Sequence, residues 1–332
     1  MGAVKVAIDP RWTGGGIGRF YREVVGRIGS GALELHTLNI QAALANPFSP
    51  IAIGKAVRSS TCDLFWSPGF MPPLGGGVPF VITIHDLIHR DHADAARRIY
   101  YDRCIRPIAL RARAIITVSN YSRDQIIGWL GKNAPEVRVV ANGVSDAFSP
   151  LGERLLLDRQ YFLYVGNQRT HKNVYRMMEA FAASKASAHV RLVLTGQATT
   201  ETMATVRRLS LHEKITFLGE VDEGRLAAAY RGAIGVIQVS LSEGFGLPVV
   251  EAMASGTPVI CSSTTALGEV AGDAALLVAP DSTEQISRAM DRLWSEQTEG
   301  ERLRELGLRR SNAFSWDEVA RQTGALLRSF KE

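Results

Sequence analysis

The chain has 332 residues and a mass of 36.2 kDa, with 46% hydrophobic and 21% charged residues, a composition that excludes disordered, fibrous and membrane-embedded classes. One hydrophobic core stops growing at roughly 250–300 residues, so two domains are expected. The formal charge of +5 is uneven: residues 1–150 carry 17 Lys and Arg against 11 Asp and Glu, whereas 151–332 carry 21 against 22.

In chain order, short apolar strands alternate with longer helical patterns, the signature of parallel sheets covered by helices. Strands are expected at 4–8, 33–40, 64–66, 80–84, 114–118 and 137–140, with helices at 17–28, 93–111 and 122–130. Pro107 should kink the second helix. A polar, turn-rich stretch from Asn142 to Pro150 then marks the expected boundary between domains 1–150 and 151–332. The second strand series falls at 161–165, 190–194, 215–217, 233–239, 258–260 and 275–278, and a terminal helix at 316–330 is free to pack back on the first domain.

No window reaches the 18 or so apolar residues of a membrane span, and Met1–Ile8 followed by Asp9 lacks the pattern of a secretory leader, so a cytoplasmic location is expected. Cys62, Cys104 and Cys261 are too far apart for a zinc or dithiol motif and read as buried, reduced thiols. Arg97, Arg98, Arg103, Arg106, Arg111 and Arg113 supply much of the positive half. With Ile99, Tyr100, Ile105, Ile108 and Leu110 they suggest peripheral contact with an anionic membrane on its inner face. The competing expectation is that these apolar residues join the core and leave the arginines solvated.

Ligands of parallel sheets bind beyond the carboxyl ends of strands, and four loops there are unusual. The first runs Ser242-Glu243-Gly244-Phe245-Gly246-Leu247-Pro248 and reaches Glu251. Pro248 suits a helix start, so amides around Gly246 and Leu247 would form an anion site, and Glu251, read in the first turn, could accept bonds from sugar hydroxyls. The bland alternative is an ordinary cap with two solvated acids. The second loop is Gly166-Asn167-Gln168-Arg169-Thr170-His171-Lys172-Asn173, whose cations could offset phosphate charge or simply be solvated. The third is His85-Asp86-Leu87-Ile88, where His85 could donate to a phosphate or sugar hydroxyl. The fourth, Thr13-Gly14-Gly15-Gly16-Ile17-Gly18-Arg19, fails dinucleotide spacing, because Arg19 and Tyr21 stand where a glycine is needed. Ser119 reads as a helix cap.

Taken together these motifs resemble the retaining GT-B glycosyltransferases of family four, the glycosyl transferases group 1, over essentially the whole chain. The resemblance implies an α/β GT-B fold of two Rossmann-like domains facing across a cleft. It implies that Glu251 binds the donor ribose, that Glu243 sits beside the transferred sugar, and that amides of Gly244, Phe245, Gly246 and Leu247 hold sugar and phosphate. Gly166, Asn167 and Lys172 would line the donor phosphates. In the family a basic residue often follows the glycine directly, so Arg169 is expected to supply the charge that Asn167 lacks. Leu218 and Val221 would flank the nucleobase. Gly15, Gly16, His85, Asp86 and Ser119 would face the acceptor, Gly16 also the donor diphosphate, and His85 would be functional.

The mechanism implied needs no metal and no cofactor: Arg169, Lys172 and the helix start stabilise the leaving diphosphate, which takes the acceptor proton. The expected partners are a nucleotide-diphosphate sugar and a glycan or polyprenyl-diphosphate-linked acceptor, with no nucleic acid. The loop at 166–173 together with His85–Ile88 is most similar to bacterial mannosyltransferases of polysaccharide synthesis, which favours GDP-mannose over UDP-sugars. A phosphorylase or sugar-nucleotide epimerase of the same fold, a nicotinamide oxidoreductase and a non-catalytic binding module are the rival readings.

Overall fold

The computed structural model describes residues 3–28, 33–44, 46–92 and 94–330. It divides into two compact units, residues 1–143 with 315–332, and residues 144–314.

The first unit is built on six parallel strands: β1 (Val4–Ile8), β2 (Leu33–Thr37), β3 (Leu64–Ser67), β4 (Phe80–Thr83), β5 (Ala114–Thr117) and β6 (Val137–Val139). Their order is β2-β1-β3-β4-β5-β6. The central strands β3, β4 and β5 are buried at every residue, which is why they read as apolar runs without alternation. The helix Gly15–Arg27 buries Phe20 and Val24, and the terminal helix Trp316–Arg328 packs along it. Phe20 meets Trp66 and Trp316 edge-on. Gly18 is required by close approach: a Cβ there would lie 2.3 Å from the Thr13 carbonyl.

The helix expected at 93–111 is interrupted. Ala93 lies outside the described residues; helix Ala95–Tyr100 then passes into a π-helical turn, Tyr101–Ile105, before Arg106–Ala109. Pro107 lacks an amide, and the chain adapts just ahead of it by widening the turn, so that Arg106 N donates to Tyr101 O. Ile105 and Ile108 are 1% and 8% exposed and belong to the core of this unit, with Leu110 packed against it. That corrects the apolar membrane face expected for this helix, because hydrophobic burial in the unit's own core already claims those side chains. Cys104 is also corrected: it is exposed on the π turn, where its neighbour Ile105 takes the inward position, while Cys62 and Cys261 are buried.

The second unit carries β7 (Tyr161–Tyr164), β8 (Arg191–Leu194), β9 (Ile215–Phe217), β10 (Gly235–Gln238), β11 (Val259–Ser262) and β12 (Leu276–Val278), again all parallel. The order β12-β11-β10-β7-β8-β9 reverses direction between β7 and β10. Its core joins Phe162 and Tyr164 to Met177, Met178 and Phe181 of helix Val174–Ala183. Val144–Pro150, expected in the first domain, belongs to this unit. The physical reason is local: Phe148 is buried edge-on against Tyr230, and Arg231 donates to the carbonyls of Ser149 and Glu153.

Candidate active site

In the second unit the loops after β7 and β10 leave the sheet side by side at the point where strand order reverses, the crevice that parallel sheets use for ligands. Three hydrogen bonds bind these loops or anchor them. Leu241 N donates to His171 O at 2.7 Å, and Asn173 Nδ2 donates to Val239 O at 3.0 Å and to Pro280 O at 2.7 Å. Asn173 holds a left-handed conformation, φ 59°, between the turn Thr170–Lys172 and the helix that follows.

That frame brings two of the expected side chains together. Lys172 Nζ lies 2.7 Å from Glu243 Oε1, and Ser240 Oγ donates to the same oxygen at 2.8 Å. Both partners of the ion pair are mostly sheltered, at 20% and 12% side-chain exposure, so the pair is screened less than a surface bridge. Ser240 is itself held, since its carbonyl accepts from Ser262 Oγ on β11. Arg169 is exposed, and among the described residues its guanidinium has no partner.

Beyond Glu243 the chain turns into the helix Leu247–Ala254. Among the described residues the amides of Phe245, Gly246 and Leu247 find no acceptor, which leaves a helix N-terminus of three donors. Gly246 sits at φ +105°, and a Cβ there would meet Leu267 Cδ2 at 2.2 Å. The Phe245 ring is buried edge-on against Phe314, so Phe245 offers the site only its backbone.

Glu251 is not in the first turn of this helix, as expected from the sequence, but one turn further on, because helical geometry begins at Leu247 with Pro248 second. Its side chain is 4% exposed and accepts from Tyr230 OH at 2.8 Å. Gly166 N donates to Thr195 Oγ1, and Asn167 O accepts from Tyr164 OH, whose ionisation burial and the nearby Glu243 push up. Leu218 and Val221 are half-buried around Gly219, which bridges back to Gly196.

The remaining candidates lie at the carboxyl end of the first unit's sheet. Gly15 and Gly16 open the helix after β1, His85 and Asp86 follow β4, and Ser119 follows β5 and caps the helix Asn120–Leu130 by accepting from Ser122 N. Asp86 accepts from Ile88 N and so shapes its own turn. His85 Nε2 is 3.0 Å from Pro68 O, and Phe20 stands edge-on to its ring at 5.0 Å. A carbonyl can only accept, so the proton is on Nε2. Desolvation holds the imidazole neutral by lowering its pKa to about 4, against a smaller opposing effect of that carbonyl. The nitrogen left over, Nδ1, is then an acceptor, whereas the sequence suggested a donor to a phosphate or sugar hydroxyl.

Sequence reasoning missed the residues that hold the site: Ser240, Tyr230, Thr195 and Asn173 as a clamp. Only Asn173 and Ser240 had a local signal, as polar residues beside the motifs. Among the described residues no three His, Cys, Asp or Glu side chains gather as a metal-binding group, and no helix is long and apolar enough to cross a membrane.

Residues 152–310 match the family Glycosyl transferases group 1, and residues 17–148 match Glycosyltransferase Family 4. Among curated proteins the chain is 29% identical over 260 residues to the O-antigen chain mannosyltransferase B of Escherichia coli, covering 73% of this chain and 68% of that protein. It is 32% identical over 207 residues to the O-antigen chain mannosyltransferase RfbU of Salmonella typhimurium, covering 60% of this chain and 56% of that one. The sucrose-phosphate synthase of Thermosynechococcus elongatus superposes with a TM-score of 0.82 at 20% identity, over 98% of both chains. Anabaena HepE in complex with UDP and glucose gives 0.78 at 17%, over 98% and 100%. These likenesses show the fold expected from the sequence, GT-B.

Proposed function

Because the chain belongs to the glycosyl transferases group 1, we propose that it moves a mannosyl residue from GDP-mannose to a hydroxyl of a glycan or polyprenyl-diphosphate-linked acceptor, with retention at the anomeric carbon. The observation that carries this reading is the Lys172–Glu243 pair beside the open amides of Phe245, Gly246 and Leu247 at the strand-order reversal. The names of the curated relatives, mannosyltransferases acting on O-antigen chains, support the sugar.

In this reading the donor diphosphate meets the helix start, Lys172 and the exposed Arg169, which offset the charge that builds as the bond from the anomeric carbon to the phosphate oxygen breaks. The acceptor oxygen bonds to the same face of that carbon, and its proton passes to the departing diphosphate. Glu243, whose carboxylate is oriented by Lys172 and Ser240, accepts from hydroxyls of the transferred sugar. Glu251, oriented by Tyr230, accepts from the ribose. These cations replace a metal, so the reaction needs none. The enzyme works in the cytoplasm, and peripheral contact with an anionic membrane falls to the exposed Arg98 and Arg103 in place of an apolar helix face. Sedimentation with anionic vesicles tests that contact: unchanged recovery on reversing both charges would remove it.

The reading is tested by turnover. GDP-mannose is expected to be consumed in an acceptor-dependent way, with the product α-linked and the rate unchanged by excess EDTA. Consumption of a UDP-sugar instead, release of sugar phosphate only with added phosphate, or loss of rate on chelation restored by magnesium would each overturn a stated part of it.

A further inference from the structure

A second concavity, of about 440 Å³, lies wholly within the first unit. Its inner surface is made by Trp12, Met71 and Tyr101, which are 7%, 2% and 5% exposed, and its walls by Phe70 and Tyr100. These rings form one aromatic cluster: Phe70 packs on Trp12 and on Tyr101, each at 5.2 Å between centroids, and Tyr100 meets Tyr101 edge-on. Trp12 follows β1 and Phe70 follows β3, so the concavity opens at the strand-order reversal of this sheet, where parallel sheets take ligands.

Its wall is built rather than incidental. Arg11 grips the buried Asp9 through two nitrogens, at 2.8 and 2.7 Å, and donates with its remaining nitrogen to Ala42 O and Ser49 Oγ, which pins the segment that carries Pro47. Tyr100 OH then donates to Pro47 O at 3.0 Å, closing the far side and spending that hydroxyl on the backbone. At the rim stands Arg97, whose guanidinium has no partner among the described residues, and no carboxylate lines the space. Two large apolar side chains next in the chain to lining residues, Phe48 after Pro47 and Ile99 before Tyr100, are left in solvent at 68% and 61% exposed.

Apart from the inner rings of Trp12 and Tyr101, the polar side chains of the lining are Asn46, His89, Arg97 and Tyr100, of which Asn46 accepts from Phe48 N and Tyr100 is spent on Pro47 O. A sugar ring laid on the aromatic bed would therefore leave most of its hydroxyls unsatisfied. One unpaired guanidinium at the edge of such a bed is complementary to an apolar chain that ends in a phosphate. We propose that this concavity holds the first units of an isoprenoid-type chain of an amphiphilic acceptor, that Arg97 pairs with its phosphate or diphosphate, and that Phe48 and Ile99 cover the chain where it leaves the protein. The proposal rests on the glycosyl-transfer reading for calling the ligand an acceptor, and on the first unit alone for its binding.

The test is calorimetric titration of the full chain with farnesyl diphosphate, farnesol and inorganic diphosphate, without donor. Farnesyl diphosphate is expected to bind, farnesol at least tenfold more weakly, and inorganic diphosphate only as far as the second unit's open helix start takes it, with an affinity that Arg97→Ala leaves unchanged. Arg97→Ala should weaken farnesyl diphosphate roughly tenfold and leave farnesol unchanged. Leu44→Trp, which narrows the opening from a half-buried position, should weaken both while the melting temperature holds. Inorganic and farnesyl diphosphate weakened equally by Arg97→Ala would reduce the site to a free-anion contact and overturn the proposal. So would affinities indifferent to both substitutions, or competition by phosphatidylglycerol vesicles that is as strong as that by farnesyl diphosphate. Binding of sugar nucleotides is measured on the same samples: if they bind and farnesyl diphosphate does not, only this inference fails, whereas the reverse result leaves it standing and removes the glycosyl-transfer reading.

Discussion

At the scale of single residues, charge is placed where a departing anion would need it, but it is not idle. Lys172 is engaged with Glu243 at 2.7 Å, so its pull on a diphosphate is shared with a carboxylate, whereas Arg169 is exposed and unpaired among the described residues. Lys172→Ala is expected to lower turnover on the order of 100-fold, because it removes a cation and leaves Glu243 leaning on Ser240 alone. Arg169→Ala should cost on the order of tenfold through the same charge term in a more hydrated place. Steady-state kinetics of the two variants checks both, and an Arg169→Ala enzyme with unaltered kcat would show that the charge missing at Asn167 has no substitute.

His85 gives a second residue-scale expectation, with its sign set by burial. The folded protein holds the ring neutral with a pKa lowered to about 4, while the unfolded chain takes up the proton near 6.5. The contribution is fully present above pH 6.5 and is lost as pH falls toward 4, since the unfolded state then binds the proton first. Between pH 7 and pH 4.5 the first unit should lose on the order of 2 kcal/mol that a His85→Gln protein does not lose. Urea titrations of both proteins at the two pH values measure the difference, and parallel losses would place the proton elsewhere.

At the scale of elements, Gly246 carries the start of the helix Leu247–Ala254, and both its positive φ and the Leu267 side chain oppose any larger residue. Leu267 is 1% exposed and has little room to give way. Gly246→Ala should therefore destabilise the second unit by about 1–3 kcal/mol and weaken donor binding at the same time, because the three open amides depend on that turn. A melting temperature and donor affinity both equal to wild type would mean that the turn relaxes freely.

How much of this was legible differs by element. All twelve strands lie within two or three residues of where the sequence placed them. The central ones, such as β3, β4 and β5, were plainest because strands buried on both faces are continuous apolar stretches, whereas the partly exposed β2 and β6 carry charged residues. The helix start itself was legible from Gly246 and Pro248, because only a few residue types suit that geometry. Glu251 was placed in the first turn instead of the second, since nothing in the local sequence says whether helical geometry begins at Leu247 or at Pro248. The π turn before Pro107 was illegible for a related reason: proline announces a disruption but not its form. Helix Ser49–Arg58, with Pro50 in its first turn and Gly54 against Leu74 O, went unread because its two breakers sit where tertiary contacts absorb them.

For the whole molecule, the limit of sequence reading is set by partners distant in the chain. Tyr230 orients Glu251 across 21 positions, and Ser240 and Lys172 meet on Glu243 from two loops 68 residues apart, pairings that no periodicity encodes. The expected boundary at 150 stood seven residues late because Phe148 looks like a turn residue until Tyr230 is brought beside it. Charge, by contrast, was readable at this scale, and its excess of six in residues 1–150 agrees with a first unit that presents Arg97, Arg98 and Arg103 to solvent.

The central claim, that the strand-order reversal of the second unit binds a sugar nucleotide through Lys172 and the open helix start, is tested most directly by thermal unfolding of wild type and Lys172→Ala with GDP-mannose and with UDP-, ADP- and dTDP-sugars. A ligand present at a hundredfold excess over its Kd stabilises the native state by about 2.7 kcal/mol, a rise on the order of 5 °C for a unit of this size. GDP-mannose is expected to give that rise in wild type and a clearly smaller one in Lys172→Ala. No rise with any sugar nucleotide, or an equal rise in both proteins, would contradict the account.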